Sequence, residues 1–341
     1  MSNVLETEHV TKIFKRQGGG QVVAVDDVTF SLREGRSTMV AVAGESGSGK
    51  STLALLLMGQ HEPTQGVVRY MGKDLAEMTA AEKAQLRREI QPIFQDPYGA
   101  YNPFYKVDHV LQMAISHYGL AESEDEAEEL IDEALRLVGL RPEETLGRYP
   151  FELSGGQRQR LMVARAMICQ PKIIMADEPV SMVDASLRAT ILSSLQALNQ
   201  KYGISVLYIT HDLTTAYQIC NNIMIMYAGQ VVEAGSVEQV IRHPNHPYTQ
   251  LLISSIPLPD INQRWVDMDQ LDEELSSSEE APRMSEGCKF APRCPHAMSV
   301  CWRERPAYYQ PDKYRAVACF LHQAAPELSS ADVADAFDYS D

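Results

Sequence analysis

The alternation of short apolar runs with polar turns predicts a sheet of buried parallel strands. Three such runs end at Ala43, Ala176 and Thr210, and a polar turn follows each of them. Short runs that are apolar throughout are typical of strands covered on both faces. Apolar residues also recur at helical spacing over 121–138 and 187–198, which predicts helices that turn one face toward the core. The pattern therefore predicts an α/β fold.

The amino-acid composition of the sequence changes near Pro257, which predicts a domain boundary there. Residues 259–286 are rich in Pro, Asp, Glu and Ser, whereas residues 287–325 contain four cysteines. Residues 326–341 are rich in Ser, Ala and Asp. We expect a first domain over 1–258, followed by an acidic linker, a compact four-cysteine module and a mobile acidic tail.

The chain of 341 residues has a net charge of −16, which lies mostly in three segments. Residues 121–133, 259–287 and 326–341 are strongly acidic, and the rest is close to neutral. Nucleic-acid-binding proteins normally carry a basic stripe, so we expect no nucleic-acid partner. No apolar run approaches the ~18 residues that cross a bilayer, and the first residues lack the pattern of a secretory signal. We therefore expect a soluble, cytoplasmic protein.

The first predicted strand runs directly into a sequence that fits a phosphate-binding loop, with an apolar helical stretch after it. Glycines let backbone amides point at phosphates, while Lys50 would reach the β and γ oxygens and Ser51 would bind Mg²⁺. The alternative is a tight Gly/Ser turn with no ligand, but the flanking strand and helix favour a phosphate site. The candidate nucleotide-binding residues of this P-loop are Gly44, Ser46, Gly47, Ser48, Gly49, Lys50, Ser51 and Thr52.

Two further features are typical of a nucleotide triphosphatase. Asp177, at the end of the second apolar run, would hold Mg²⁺ through its hydration shell, and Glu178 would polarise an attacking water. LSGGQ at 153–157 precedes a helical stretch, and a Ser-Gly-Gly turn that opens a helix is a second anion site. Five residues alone could also be an ordinary helix cap. Two phosphate cradles in one chain are explained if each nucleotide lies between two subunits.

These motifs, in this order, resemble the ATP-binding subunits of ABC transporters. The resemblance makes Gln95 a contact of the metal and the attacking water, His211 a contact of the γ-phosphate and Asp184 part of the D-loop. It makes Phe14 the aromatic that stacks on adenine, where the family usually has tyrosine; the alternative is a core phenylalanine. The signature residues that would face a partner's nucleotide are Ser154, Gly155, Gly156 and Gln157. The implied fold is a P-loop NTPase domain of ABC type, with a RecA-like core, an antiparallel β subdomain and a helical subdomain at about 95–165.

Three stretches resemble the oligopeptide/dipeptide importer branch: FQDPY at 94–98, YPFELSGGQ at 149–157 and HPYTQLL at 246–252. We interpret His243 and His246 as residues of a turn before a docking helix rather than as a metal pair. The branch implies an ATPase at the cytoplasmic face of the membrane, with two permease subunits, a second ATPase subunit and, indirectly, an extracytoplasmic solute-binding protein. Its members also move nickel or oligosaccharides. Two different classes of protein share part of the motif set: soluble ABC ATPases that act on ribosomes or DNA, and P-loop kinases, which would not need LSGGQ.

Four cysteines in the C-terminal part of the chain predict a metal site. Structural disulfides are rare in the reducing cytoplasm, and the C-x5-C-x6-C-x17-C spacing lacks the CxxC pairs of common zinc fingers. A [4Fe-4S] cluster takes four cysteine ligands from variable loops, and the family resemblance also points to it. Zn²⁺, free thiols or disulfides remain alternatives, with His296 or His322 as substitute ligands. The four cysteines are Cys288, Cys294, Cys301 and Cys319.

Overall fold

The computed structural model describes residues 3–16, 19–96, 99, 101–181, 183–256 and 287–339. The strands are β1 (Asn3–Lys15), β2 (Gln21–Arg33), β3 (Met39–Ala43), β4 (Gln65–Tyr70), β5 (Lys73–Asp74), β6 (Ile90–Ile93), β7 (Ile173–Asp177), β8 (Ser205–Thr210), β9 (Asn222–Tyr227), β10 (Gln230–Ser236) and β11 (Arg315–Val317). The helices are α1 (Lys50–Leu57), α2 (Ala80–Glu89), α3 (Val107–Tyr118), α4 (Glu124–Leu137), α5 (Pro142–Thr145), α6 (Gly155–Ile168), α7 (Ala185–Tyr202), α8 (Leu213–Ile219), α9 (Val237–Arg242) and α10 (Pro247–Ser254). Within these ranges, no helix combines the length and the apolarity needed to cross a membrane.

The larger sheet has the strand order β11-β10-β9-β3-β8-β7-β6. Its five strands from β9 to β6 are parallel, whereas β10 and β11 add antiparallel at one edge. The three strands predicted from apolar runs are β3, β8 and β7, and every residue of β3 and β8 is buried. The prediction of a buried parallel sheet is confirmed. Because the carboxyl ends of parallel strands meet at one edge, the loops after β3, β6, β7 and β8 lie on the same side.

The smaller sheet is antiparallel, with the order β2-β1-β4-β5. One apolar cluster joins it to α1 and to one face of the larger sheet, and includes Phe30, Leu57 and Met224. The helix that follows the P-loop is therefore held between two sheets. This packing fixes the direction in which the amino end of α1 points.

The helices α3 to α6 lie between β6 and β7 in the chain and pack against the other face of the larger sheet. In α4, Ile131, Ala134 and Leu135 are buried. Ser123 begins the helix, since its hydroxyl accepts from the backbone N–H of Glu126. The predicted helix at 121–138 is thus confirmed with slightly shorter bounds, and most of its acidic residues face solvent.

The cysteine-containing segment 287–325 packs onto the main domain. Its strand β11 pairs with β10 as the edge strand of the larger sheet, and Phe290 is buried in the main core cluster. The compact four-cysteine module expected over 287–325 is therefore not confirmed. The linker expected over 259–286 lies outside the described residues.

The expected mobile tail differs from the structure, because its described residues 326–339 are packed. Val333, Ala334 and Phe337 are buried in the cluster shared with β2 and β10. The carboxylate of Asp332 accepts from the hydroxyl of Ser31, which ties the tail to β2. The prediction of a mobile tail rested on its acidic composition. A few closely spaced apolar residues are nevertheless enough to anchor a segment that is otherwise acidic.

Candidate active site

The loop between β3 and α1 folds around the ammonium group of Lys50. Lys50 Nζ donates to the carbonyl oxygens of Gly44 and Glu45, at 2.8 and 2.9 Å, and to Ser48 Oγ at 3.4 Å. Burial lowers the pKa of Lys50, and three nearby carboxylates oppose that shift. The loop therefore holds a buried cation at the amino end of a helix, an arrangement that favours binding of phosphate.

Two glycines of this loop occupy positions that no side chain fits. Gly44 and Gly49 have φ angles of 150° and 104°, in the region that favours glycine. A Cβ atom on Gly44 would lie 2.2 Å from the carbonyl oxygen of Met226, and one on Gly49 would lie 2.2 Å from that of Ala24. Close packing on neighbouring backbone thus requires both glycines, in addition to any approach of phosphate.

A hydroxyl and a carboxylate meet beside the P-loop. Ser51, in the first turn of α1, hydrogen-bonds to the carboxylate of Asp177 at the end of β7. Burial raises the pKa of Asp177, while the bond from Ser51 and the charge of Lys50 act in the opposite direction. Hydroxyl and carboxylate oxygens are ligands that Mg²⁺ prefers. The pair therefore fits the predicted magnesium site.

Three predicted catalytic residues follow different strands, and two of them, Gln95 and His211, contact the third, Glu178. Gln95, Glu178 and His211 follow β6, β7 and β8 by one or two residues. Glu178 Oε2 accepts from Gln95 Nε2 at 2.9 Å, and Glu178 Oε1 lies 2.8 Å from His211 Nδ1. Parallel strand order brings together side chains separated by 83 and 33 positions in the chain.

Glu178 lies near enough to the phosphate-binding loop for its carboxylate to act on the charge of Lys50. Its φ angle of 45° is unusual for a residue other than glycine, and its backbone N–H donates to Ile209 O at 2.9 Å. Among the carboxylates that act on the charge of Lys50, Glu178 has the largest effect. A carboxylate in this position can take a proton from a water that attacks a bound phosphoryl group.

The LSGGQ segment forms the amino end of α6. Ser154 Oγ accepts from the backbone N–H of Gln157 at 3.2 Å, and Gln157 Oε1 accepts from the N–H of Ser154 at 2.9 Å. The segment therefore caps α6, and Ser154 is exposed at the surface. Gly156 packs on the next helix, where an added Cβ would lie 2.3 Å from Leu187 Cδ1. Gly155, between them, is half-buried.

Phe14 lies on β1, and Asp184 lies just before α7. Phe14 is half-buried on β1, where it packs edge-on against His61 with ring centroids 5.5 Å apart. It is not part of the core clusters. Asp184 is exposed and immediately precedes α7, without a side-chain capping bond. Adenine stacking by Phe14 and the D-loop role of Asp184 stay predictions.

The sequence analysis missed two residues, Tyr248 and Arg293, that bind Glu45 of the P-loop. Tyr248 Oη accepts from the backbone N–H of Glu45 at 2.8 Å. Arg293 donates to both carboxylate oxygens of Glu45, at 2.9 and 3.2 Å. Tyr248 belongs to the HPY stretch and Arg293 precedes Cys294, so both neighbourhoods were visible as motifs but their shared contact was not.

The four C-terminal cysteines line a single cavity and are free thiols. Burial raises the pKa of Cys319 to about 11, and the charges of the other three thiols add to that shift. Within the described ranges, however, no group of three or more His, Cys, Asp or Glu residues is placed to hold a metal ion. The arrangement therefore does not show the expected iron–sulfur or zinc site, although all four cysteines lie around one cavity.

His243 and His246 flank the short segment between α9 and α10. His246 begins α10, because its Nδ1 accepts from the backbone N–H of Tyr248 at 3.0 Å. Burial lowers its pKa to about 3, so the ring is neutral at pH 7. His246 therefore lies at the turn before the helix, as the neighbouring prolines predicted. Tyr248, in the first turn of the helix, is fully buried.

Comparison with known proteins finds two family matches, on different parts of the chain. A family model described as ABC transporter matches residues 25–181, and one described as the C-terminal region of oligopeptide/dipeptide transporters matches residues 232–301. The chain is 36% identical to the oligopeptide transport ATP-binding protein AppD of Bacillus subtilis, over 95% of this chain and 98% of that protein. It is 40% identical to the oligopeptide transport ATP-binding protein OppF of Salmonella typhimurium, over 83% of each. A solved ATP-binding cassette, a dimer in a post-hydrolysis state with ADP and Pi, aligns with a TM-score of 0.61 at 29% identity, over 68% of this chain and 98% of that chain.

Proposed function

The chain belongs to the ABC transporter family, and we propose that, as an ATP-hydrolysing subunit, it powers the uptake of oligopeptides or dipeptides through separate membrane permease subunits. The convergence of Gln95, Glu178 and His211 beside the P-loop carries the ATPase assignment. The peptide assignment rests on the match of residues 232–301 to the C-terminal region of peptide transporters. The alternative solutes are nickel and oligosaccharides.

In the proposed reaction, each group of the site has a separate task. Lys50 and the loop amides bind the phosphates of ATP. Ser51, Asp177 and Gln95 would hold Mg²⁺, which neutralises the charge of the phosphates when bound. Glu178 accepts a proton from the attacking water, and His211 orients the γ-phosphate while it holds the Glu178 carboxylate in place.

We infer that the active assembly contains two ATPase subunits, related or identical, with each nucleotide between them. The exposed position of Ser154 supports this, because it leaves the amino end of α6 open to a facing subunit. The similarity to a dimeric cassette also supports it. In such a dimer Asp184 would lie near the subunit boundary and Phe14 would stack on adenine.

An exposed aromatic surface beside the helical segment is the proposed contact with the permease. Phe104 and Phe151 are 86% and 67% exposed. Their segments are neighbours, because the backbone N–H of Val107 donates to Arg148 O at 2.9 Å. Exposed aromatic clusters of this kind commonly mark protein interfaces. We propose that this surface binds a permease, which places the subunit at the cytoplasmic face of the membrane, with a solute-binding protein acting on the far side.

We expect the chain to co-purify with its co-expressed permease subunits and to hydrolyse ATP faster when a peptide-loaded solute-binding protein is added. The double variant Phe104→Ser/Phe151→Ser should lose the permease and keep ATP binding, because it removes exposed apolar area and changes no residue of the P-loop. Trp302→Ser, which changes another exposed aromatic residue, is the matched control. Stimulation by nickel or an oligosaccharide instead of peptide would overturn the solute assignment, and co-purification with ribosomes alone would overturn the transport function.

We also propose that the cavity between Cys288, Cys294, Cys301 and Cys319 takes a [4Fe-4S] cluster, with Zn²⁺ as the alternative. Ligation would require the thiols to lose their protons and draw together around the metal. Their position around one cavity and their number support this proposal.

Protein purified without oxygen should contain iron and acid-labile sulfide and absorb broadly in the visible range, because thiolate-bound clusters are coloured. Cys294→Ser should lose the absorption and the metal. Cys169→Ser, at a buried cysteine outside the cavity, should keep both. Zinc without iron would favour the alternative, and elemental analysis that finds neither metal would leave plain thiols.

A further inference from the structure

The P-loop contains a carboxylate in a place where negative charge is unfavourable for its ligand. Glu45 directly follows Gly44, and its charge acts on the buried ammonium of Lys50. A carboxylate near a phosphate site repels the anion that the site must bind. The chain therefore needs a feature that offsets Glu45 or directs it away from the phosphates.

Arg293, from the C-terminal segment, supplies a matching positive charge. Its guanidinium pairs with both oxygens of the Glu45 carboxylate, at 2.9 and 3.2 Å. The two side chains are only 20% and 33% exposed, so solvent screens the pair incompletely. The guanidinium also lies 5.9 and 5.8 Å from the ring centroids of Tyr227 and Phe290. These rings restrict the guanidinium to the geometry that a two-pronged pair requires.

Tyr248 holds the backbone of the same residue. Its hydroxyl accepts from the N–H of Glu45 at 2.8 Å, and its ring is fully buried against Tyr227 and Phe290. His246 fixes the start of the helix that carries Tyr248. Both the main chain and the side chain of Glu45 are therefore held by residues from the region after β10.

We propose that Arg293 and Tyr248 are positioning residues for the nucleotide loop. Arg293 neutralises Glu45 and keeps its carboxylate turned toward the C-terminal segment, while Tyr248 fixes the loop backbone at the same point. Affinity for ATP then depends on the docking of the region that follows β10, although that region contributes no group to the phosphoryl-transfer chemistry. This inference rests on the nucleotide site of the proposed function.

The test measures MgATP affinity of the full chain by displacement of a fluorescent ATP analogue, in the Glu178→Gln background so that no ATP is consumed. Arg293→Gln leaves Glu45 uncompensated and should raise the Kd about tenfold. Arg293→Lys keeps the positive charge but loses the two-pronged pairing, so its Kd should lie between those of the parent and of Arg293→Gln. The double variant Glu45→Gln/Arg293→Gln removes both charges and should recover most of the lost affinity.

Two further variants separate positioning from general stability. Arg305→Gln breaks another ion pair between the C-terminal segment and the main domain, with Asp27 at 3.3 Å, and should leave the Kd unchanged. Tyr248→Phe removes only the acceptor for the Glu45 N–H and should raise the Kd about threefold. Melting temperatures without nucleotide show whether each variant is folded.

The inference is overturned if the double variant binds as weakly as Arg293→Gln, or if Arg305→Gln weakens binding equally. In either case the segment would act only on the stability of the fold. Failure of the parent chain to bind MgATP is a different result, because it would remove the nucleotide site itself and with it the proposed function.

Discussion

Glu178→Gln should bind ATP as tightly as the unchanged chain and hydrolyse it about a hundred- to ten-thousandfold more slowly, since general-base catalysis contributes about that factor. The amide keeps the shape of the side chain and can still hydrogen-bond to Gln95 and His211, which hold the carboxylate in the structure. It cannot accept a proton from water. Phosphate release under saturating ATP measures turnover, and equilibrium binding of a fluorescent ATP analogue measures affinity.

The matched control is Glu129→Gln, which changes an exposed glutamate of α4 away from the site and should keep full activity. Hydrolysis at the wild-type rate by Glu178→Gln would show that the base assignment is wrong. Loss of binding together with turnover would instead mean that the carboxylate supports the structure of the loop.

Lys50→Ala should weaken ATP binding about a hundredfold, because hydrogen bonds to charged groups contribute about 1.5–3 kcal/mol each and Lys50 is placed to make more than one to phosphate. The ammonium also donates to the carbonyl oxygens of Gly44 and Glu45, which lose their partner in the variant. The measurement is the Kd for MgATP, with the melting temperature recorded to exclude unfolding.

Lys201→Ala is the control, because it removes an exposed lysine from the last turn of α7 without touching the loop. An unchanged Kd in Lys50→Ala would contradict the assignment of this loop as the phosphate site. The result is independent of Glu178→Gln, since one variant removes binding and the other removes the chemical step.

The positions of Glu178 and His211 just after buried strands were predictable from local sequence, whereas Gln95 was identified only through the resemblance to ABC transporter ATPases. Glu178 and His211 directly follow buried strands, and Gln95 follows the next strand of the sheet by two residues. A parallel sheet brings the carboxyl ends of its strands to one edge, so recognising the strands also predicts that these side chains meet. The glycines of the P-loop were predictable for a similar reason, since a phosphate-binding turn requires their backbone conformations.

The C-terminal part was less predictable, because its composition and its packing disagree. The tail has many acidic residues, yet Val333, Ala334 and Phe337 anchor it in the core. The cysteine spacing indicated a compact unit of its own, whereas β11 completes the edge of the main sheet. In both cases a few apolar or strand-forming residues decide the structure. The average composition of the segment does not reveal these residues.

The sequence by itself determined the P-loop, the acidic pair at the end of β7 and the order of the motifs, because each depends on residues that are close together in the chain. Only the tertiary structure decided that Glu45 is held by Tyr248 and Arg293, which lie 203 and 248 positions away. No local pattern encodes such a contact. It forms because the larger sheet and its core bring β3, α10 and the C-terminal segment to one place, where burial and charge pairing stabilise it.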